Sequence, residues 1–281
     1  MVGGNELRYG SLFSGIGGID LGMDMAGFEC AWQVEIDDYC REVLEAHWPN
    51  TKRYKDIYEV KGAEVEPVDI ICGGFPCQPV STAGKRGGVD DERWLWDEFY
   101  RLICEIRPRW VVAENVPGLL SANSGRAFAG ILRDLAKSGY DVVWDMFPAG
   151  GSGGVGAPHK RKRVFIVAHT DSSRQRSIRK GESVQKNRQR IKHGGSVAGD
   201  VADTYGKRGC SGHTERENAK DVRQSPRCKI NGQWDVEPNV GRVANGVSNR
   251  VGRLRALGNA VVPQVAYKVA RMIYEYTEKE K

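Results

Sequence analysis

Short hydrophobic runs alternate with segments of helical periodicity along the first 170 residues of the chain. The runs rich in β-branched and aromatic residues predict strands over 7–13, 28–35, 69–73, 110–113, 141–147 and 163–169. Helical periodicity predicts helices over 19–26, 37–48, 94–106 and 127–137. Strand–helix alternation of this kind favours an α/β fold with a doubly wound, mostly parallel, Rossmann-like sheet.

This pattern is interrupted from about residue 171 to residue 248. The segment is rich in Ser, Gly, Arg, Lys, Asn and Gln, and its isolated hydrophobic residues supply little surface for a core of its own. Periodicity returns over 254–262, and Pro263 opens a predicted helix over 264–276. We therefore expect an α/β domain over 1–170 that is completed by 249–281 and interrupted by a polar insertion over 171–248.

The composition is that of a soluble globular protein, with 40% hydrophobic and 28% charged residues among 281. No apolar run approaches the roughly 20 residues that span a membrane, and the first residues lack the pattern of a signal peptide. The seven cysteines follow no disulfide or zinc-site spacing. These features predict a cytoplasmic protein with free thiols and no metal site.

Positive charge is concentrated in the polar segment. Residues 171–232 hold 15 Lys and Arg against 7 Asp and Glu, whereas the whole chain has a net charge of +6. A local basic excess is typical of a surface that faces nucleic acid, and it is equally common in a solvated loop. The charge pattern alone leaves both interpretations open.

A glycine-rich turn over 13–18 follows the first predicted strand. Gly15 and Gly17 would let a ligand approach the backbone closely, but Asp20 stands where a dinucleotide fingerprint has its third glycine. Glu35 follows Gly15 by 20 residues, the usual distance to an acid that binds ribose hydroxyls. The turn therefore predicts a nucleoside cofactor that carries no pyrophosphate.

Two side chains of catalytic type follow buried strands. Cys77 lies between Pro76 and Gln78 just after the strand 69–73, and Glu114 lies at the end of the strand 110–113. Ends of parallel strands share one edge of a sheet, so both groups are expected there. A thiolate with a carboxylic acid suits attack on an electron-poor ring, provided that burial raises the pKa of the acid.

A basic run over 159–163 precedes the last predicted strand. Alternate residues of a strand share a face, so Arg161 and Arg163 are expected to point together into the site. A charge run is also typical of a solvated edge.

In this order, these segments resemble the DNA (cytosine-5)-methyltransferase family. The matching motifs are 13–18 for its first motif, 76–78 for its catalytic loop, 114–116 for its acid motif, Arg161 with Arg163 for its arginine pair, and 258–263 for its last motif. The resemblance covers 7–170 and about 250–276. It implies a catalytic and cofactor-binding domain over 1–170, completed by 249–281, and a short basic target-recognition region over 171–248.

The resemblance implies S-adenosyl-L-methionine as cofactor. Glu35 matches the ribose-binding acid, and Asp56 with Ile57 matches the adenine side. The implied cofactor-binding residues are Phe13, Ser14, Gly15, Gly17, Gly18, Glu35, Ile36, Asp56, Ile57, Gly74, Pro76, Asn259, Ala260 and Val261.

It also implies methyl transfer to C5 of a cytosine flipped out of double-stranded DNA. Cys77 would add to C6, Glu114 would engage N3, and Arg163 with Arg161 would hold the base. A loop over 78–91 would close on the DNA, where charged side chains reach phosphates. The implied DNA-binding residues are Gln78, Ser81, Lys85 and Arg86.

The chain departs from the family pattern in three places. His159 stands where the family usually has Gln, and the segment 148–156 is unusually rich in glycine. Neither Thr204 nor Thr214 is followed by the Leu often found in the recognition region. The sequence therefore gives no DNA recognition sequence. Family habit implies a restriction–modification setting with a cognate endonuclease, or a phage setting, and a monomer is expected because one polypeptide suffices for a single flipped base.

Three other interpretations compete with this one. An RNA (cytosine-5)-methyltransferase of the tRNA-modifying branch shares the motifs, although the chain shows no RNA-binding module. A catalytically idle DNA-binding module would have no use for an intact Cys77 and Glu114. A nicotinamide dehydrogenase would need glycine at position 20 and would leave both side chains unexplained.

Overall fold

The computed structural model describes residues 7–76, 94–170 and 250–279, with the backbone alone for 250 and 251. The strands are β1 (Arg8–Leu12), β2 (Glu29–Val34), β3 (Lys52–Tyr54), β4 (Ile70–Gly74), β5 (Trp110–Asn115), β6 (Asp141–Phe147) and β7 (Arg163–His169). The helices are α1 (Gly18–Met25), α2 (Asp38–His47), α3 (Trp96–Ile106), α4 (Arg126–Lys137), α5 (Arg250–Asn259) and α6 (Pro263–Lys279).

The described strands form one seven-stranded sheet in the order β3-β2-β1-β4-β5-β7-β6. Neighbours are parallel except β7, which runs antiparallel to both β5 and β6. The chain moves outward from β1 to β3 and then returns to place β4 on the other side of β1. The strand order therefore reverses between β1 and β4, where open α/β sheets bind ligands beyond the carboxyl ends of their strands.

Hydrophobic cores cover both faces of the sheet. Helices α3 and α4 pack on one face, whereas α1 and α6 pack on the other. The central strands are buried on both sides, so neighbours such as Ile70 and Ile71 enter opposite cores and both have 0% exposure. This arrangement confirms the predicted doubly wound, mostly parallel, Rossmann-like fold. None of the described helices is long and apolar enough to cross a membrane.

The ends of three elements differ from the sequence prediction. Strand β5 continues through Asn115 because Glu114 pairs with Gly74 of β4 and Asn115 pairs with Val164 of β7. The edge strand β3 was not predicted, since its Lys-Arg-Tyr sequence lacks hydrophobic alternation. Helix α5 occupies part of a segment that the sequence left without an assigned element.

Candidate active site

The turn after β1 takes a left-handed backbone at both predicted glycines. The φ angle is +57° at Gly15 and +82° at Gly17. A Cβ at Gly17 would lie 2.5 Å from the ring of Trp48, so this position requires glycine. A Cβ at Gly15 would meet nothing within 4 Å. The backbone at Gly15 is therefore open to a ligand.

The carboxylate of Glu35 joins this turn to the end of β2. Its two oxygens accept hydrogen bonds from the backbone N–H groups of Gly15 at 2.7 Å and of Asp37 at 2.8 Å. Burial raises the pKa of Glu35, against the effect of these two hydrogen bonds. Each oxygen keeps a second lone pair that can accept from a ligand hydroxyl.

Asp20, which replaces the third glycine of a dinucleotide fingerprint, lies beneath the turn. Its side chain has 0% exposure and accepts hydrogen bonds from Ser11 Oγ at 3.0 Å and Gln33 Nε2 at 2.9 Å. Burial raises its pKa to about 6. Asp20 therefore ties α1 to β1 and β2.

Three further predicted cofactor residues follow β2 and β3. Ile36, next to Glu35, is 65% exposed and leaves an apolar surface beside the acid. Asp56 caps a 3₁₀ turn, Ile57–Glu59, by accepting a hydrogen bond from the Tyr58 N–H at 3.0 Å. Ile57 itself is buried in the core.

The segment between α5 and α6 packs directly against the glycine turn. A Cβ at Gly18 would lie 2.3 Å from the carbonyl oxygen of Val261, so the two backbones are in close contact. Val261 is buried, whereas Asn259 is exposed. The structure therefore brings the predicted positions 13–18 and 259–261 together, although more than 200 residues separate them.

Glu114 is a buried carboxyl group at the carboxyl edge of β5, with 6% exposure. Its Oε1 lies 2.9 Å from Arg163 Nε. The pair is not aligned as a hydrogen bond, and Oε1 has no hydrogen-bond donor among the described residues. Burial raises the pKa of Glu114 to about 7, against the effect of Arg163 and then Arg161. This carboxyl group can therefore carry a proton near neutral pH.

Glycine at the end of β4 makes room for this carboxyl group. A Cβ at Gly74 would lie 2.6 Å from Glu114 Oε2. Gly74 therefore lies beside the predicted catalytic acid, in register with it across the β4–β5 pair. Pro76, also predicted at the cofactor site, is partly buried two residues further along.

Asn115 has a structural role that the sequence analysis missed. Its Nδ2 donates a hydrogen bond to the Phe75 carbonyl at 3.0 Å, and its Oδ1 accepts one from the Val116 N–H at 2.8 Å. Phe75 is itself buried among Trp94, Trp96 and Phe99. The chain leading to position 77 is thereby attached to β5, and the adjacency of Asn115 to Glu114 was the available signal.

Arg161 has different partners from Arg163. The expectation that the two share a strand face is wrong, because β7 begins at Arg163 and Arg161 precedes it with a φ angle of +28°. Arg161 Nη2 donates hydrogen bonds to the carbonyls of Gly258 at 2.6 Å and Ala260 at 2.5 Å. Arg161 is therefore hydrogen-bonded to the backbone on both sides of Asn259.

Several predicted site residues lie outside the described residues. They are the nucleophile Cys77, the DNA-binding residues Gln78, Ser81, Lys85 and Arg86, and the target-recognition region 171–248. Their roles remain predictions.

Comparison with known proteins finds similarity to DNA methyltransferases. The family model described as C-5 cytosine-specific DNA methylase matches residues 7–236. Type II methyltransferase M.FnuDI of Fusobacterium nucleatum is 38% identical over 158 residues, which are 56% of this chain and 45% of that protein. Type II methyltransferase M.Bsp6I of Bacillus sp. (strain RFL6) is 35% identical over 164 residues, 57% of this chain and 51% of that protein.

Among solved structures, the chain is similar to an Escherichia coli prophage protein assigned to the DNA modification methyltransferases. The TM-score is 0.51 at 30% sequence identity, over 59% of this chain and 47% of the other. The chain spans about half the length of the curated relatives it matches.

Proposed function

The chain belongs to the C-5 cytosine-specific DNA methylase family, and from this membership we propose that it methylates C5 of cytosine in double-stranded DNA. The methyl donor in this proposal is S-adenosyl-L-methionine. The type II methyltransferase names of its relatives extend the proposal to a restriction–modification setting.

One observation carries the proposal most directly, the environment of Glu114. A carboxyl group with 6% exposure, a pKa raised to about 7 and an arginine 2.9 Å away lies at the ligand-binding edge of the sheet. Protonation of a ring nitrogen requires an acid that still holds its proton near neutral pH. Glu114 is the described carboxyl group that combines this pKa with a place next to the chain leading to Cys77.

The described residues fit the proposed cofactor. S-adenosyl-L-methionine supplies the methyl group when bound. Glu35 would accept the ribose hydroxyls through its remaining lone pairs, and the exposed side chain of Ile36 would cover the adenine. The open backbone at Gly15 and the adjacent Val261 segment would hold the methionine part.

We propose that Cys77 acts as the nucleophile on a cytosine turned out of the helix. Its thiolate would form a bond to C6, while Glu114 gives its proton to N3 and so neutralises the charge that enters the ring. C5 then takes the methyl group. Loss of the C5 proton restores the C5–C6 double bond, expels the thiolate and releases N3 from its proton.

The target base must leave the stacked duplex, because C5 and C6 cannot be reached by these groups while the base is paired. Arg163, fixed against Glu114, would hold the extruded base. The loop residues Gln78, Ser81, Lys85 and Arg86 and the basic region 171–248 would contact the DNA in this proposal.

The proposal is tested by transfer of a tritiated methyl group to unmethylated duplex DNA and to bulk tRNA in parallel. We expect label in DNA and none with Cys77→Ala, which should keep cofactor binding. Label in tRNA alone would contradict the DNA substrate, and retained transfer by Cys77→Ala would contradict the nucleophile.

A further inference from the structure

A cavity of about 600 Å³ lies beyond the carboxyl end of β6, away from the cofactor turn. Its walls are the end of β6, the glycine-rich segment that follows it, the basic run before β7, and α6. The family resemblance gave no role to this glycine-rich segment, which is a departure from the family pattern.

The cavity is rich in positive charge. Lys160, Lys162 and Lys268 line it, whereas Asp145 is its one carboxylate. Asp145 Oδ1 accepts a hydrogen bond from the Met146 N–H at 2.7 Å, so part of its acceptor capacity is used locally. Three ammonium groups against one carboxylate favour an anionic ligand.

The glycine-rich segment adds backbone donors to these cations. Gly151 and Gly153 have φ angles of +83° and +78°. Hydrogen bonds from Ala149 N–H to the Lys160 carbonyl at 2.8 Å and from Gly154 N–H to the Gly151 carbonyl at 3.1 Å hold the segment in place.

The N–H groups of residues 151, 152 and 153, which are exposed, donate to no backbone carbonyl of the described residues. Consecutive N–H groups with alternating backbone handedness form concavities that bind anions. The segment can therefore form one wall of an anion site.

The position of the cavity relative to Glu114 favours a phosphate of the DNA backbone as the anion. Phe147 at the end of β6 pairs in register with Arg163, which contacts Glu114. Adjacent strands lie about 4.8 Å apart, so the end of β6 is roughly 10 Å from that of β5. Phosphates of one DNA strand recur about every 3.4 Å along the helix axis. A duplex that presents a base to Glu114 therefore brings its backbone within reach of the cavity.

We propose that this cavity binds a backbone phosphate of the DNA strand near the target cytosine, through the three lysines and the glycine-rich segment. The inference rests on the proposed function and adds to it a phosphate contact made outside the catalytic loop and the recognition region. Such a contact positions the duplex and carries no sequence information.

The test is the salt dependence of binding to an unmethylated duplex, measured on the full chain without methyl donor. The variant K160A/K162A/K268A should lower the magnitude of the slope of log K against log salt by about 0.9, the value for one phosphate contact. The same relation implies about tenfold weaker binding at 0.1 M salt. Lys137→Ala, an exposed lysine near the opposite end of β6, should match the wild type.

An unchanged slope in the triple variant, with an unchanged melting temperature, would overturn the inference. Titration with inorganic phosphate separates the two sources of the anion. A variant that loses phosphate binding but keeps the wild-type DNA slope would also overturn it, because the ligand would then be free phosphate. Failure of the proposed function is seen separately, as absent methyl transfer by the wild type.

Discussion

Two buried carboxyl groups at the same edge of the sheet, Glu35 and Glu114, have different neighbours. Glu35 accepts two backbone hydrogen bonds, which favour its ionised form. Glu114 has an arginine beside it but no aligned donor to Oε1 among the described residues. Burial raises the pKa of both groups, and at Glu35 the two backbone hydrogen bonds oppose this effect. Glu114, whose pKa is about 7, can hold a proton near neutral pH.

Glu114→Gln should lower the rate of methyl transfer by about 10²- to 10⁴-fold, because the amide keeps the shape of the side chain and cannot give up a proton to N3. Duplex binding should stay close to that of the wild type. Single-turnover transfer and a binding titration on the same protein measure the two quantities. A near-normal rate would remove Glu114 as the acid.

The same substitution should change how stability depends on pH. The pKa of Glu114 is raised from 4.5 to about 7 in the folded protein, so the folded state binds the proton more tightly than the unfolded state. The stability that this group contributes is present below pH 4.5 and is lost as the pH rises to about 7.

Glu114→Gln removes this titration, so its stability relative to the wild type should increase across that window by a few kcal/mol. Urea unfolding of both proteins at several pH values measures the difference. A difference that does not vary with pH would show that the carboxyl group is not buried as described.

Arg161→Ala separates a positioning role from a role at the base. Loss of the bonds to the carbonyls of Gly258 and Ala260 should weaken cofactor binding about tenfold, the equivalent of one charge-assisted hydrogen bond. Arg161→Lys should restore part of it. Unchanged cofactor affinity together with lost transfer would instead place Arg161 at the cytosine.

At the scale of elements, the close packing of α1 against α6 leaves no room for a side chain at Gly22. A Cβ at Gly22 would lie 2.5 Å from Ala266 Cβ and 2.7 Å from the Pro263 carbonyl oxygen. Gly22→Ala should therefore destabilise the protein by about 1–3 kcal/mol through overpacking, although alanine is the better helix former.

Gly130→Ala in α4 is the matched control, because its Cβ would meet nothing within 4 Å. This change should stabilise the protein by about 0.5–1 kcal/mol. Urea unfolding compares the two variants. Equal effects of both substitutions would contradict the close contact between α1 and α6.

Hydrophobic pattern predicted the buried strands well because burial on both faces leaves an unmistakable apolar run, as at Ile70–Gly74. The hydrophobic pattern did not predict strand residues whose place in the sheet depends on hydrogen bonds to neighbouring strands. Edge strand β3 is polar, and β5 extends over Glu114 because β4 and β7 pair with it. Spacing predicted that Glu35 lies beside the glycine turn, and the Gly15 N–H does donate a hydrogen bond to it. Spacing could not show that Arg161 precedes the strand.

At the scale of the molecule, the candidate cofactor site joins segments from opposite ends of the described chain. Residues 13–18 and 35 come from the first strands, whereas Val261 comes from the segment before α6. A ligand held by both should stabilise the whole fold, since binding to the folded state alone shifts the unfolding equilibrium.

S-adenosyl-L-methionine at 100 times its dissociation constant should add about 2.7 kcal/mol of stability. For a domain of this size the melting temperature should rise by about 5–10 °C. Thermal unfolding of the wild type and of Cys77→Ala, with and without the compound, should show the same rise in both. Absence of a rise in the wild type would contradict the cofactor assignment.

The close contact of α1 with α6 also sets an order of events during synthesis. A ribosome adds about 5–20 residues each second, and roughly 240 residues separate Gly22 from Ala266. The apolar side of α1 therefore stays without its partner helix for roughly 10–50 s during synthesis. A nascent chain stopped between residues 36 and 258 has Glu35 and the glycine turn but lacks the segment 259–261 that packs against the turn. If the candidate site needs both segments, cofactor binding would report that translation has passed Val261.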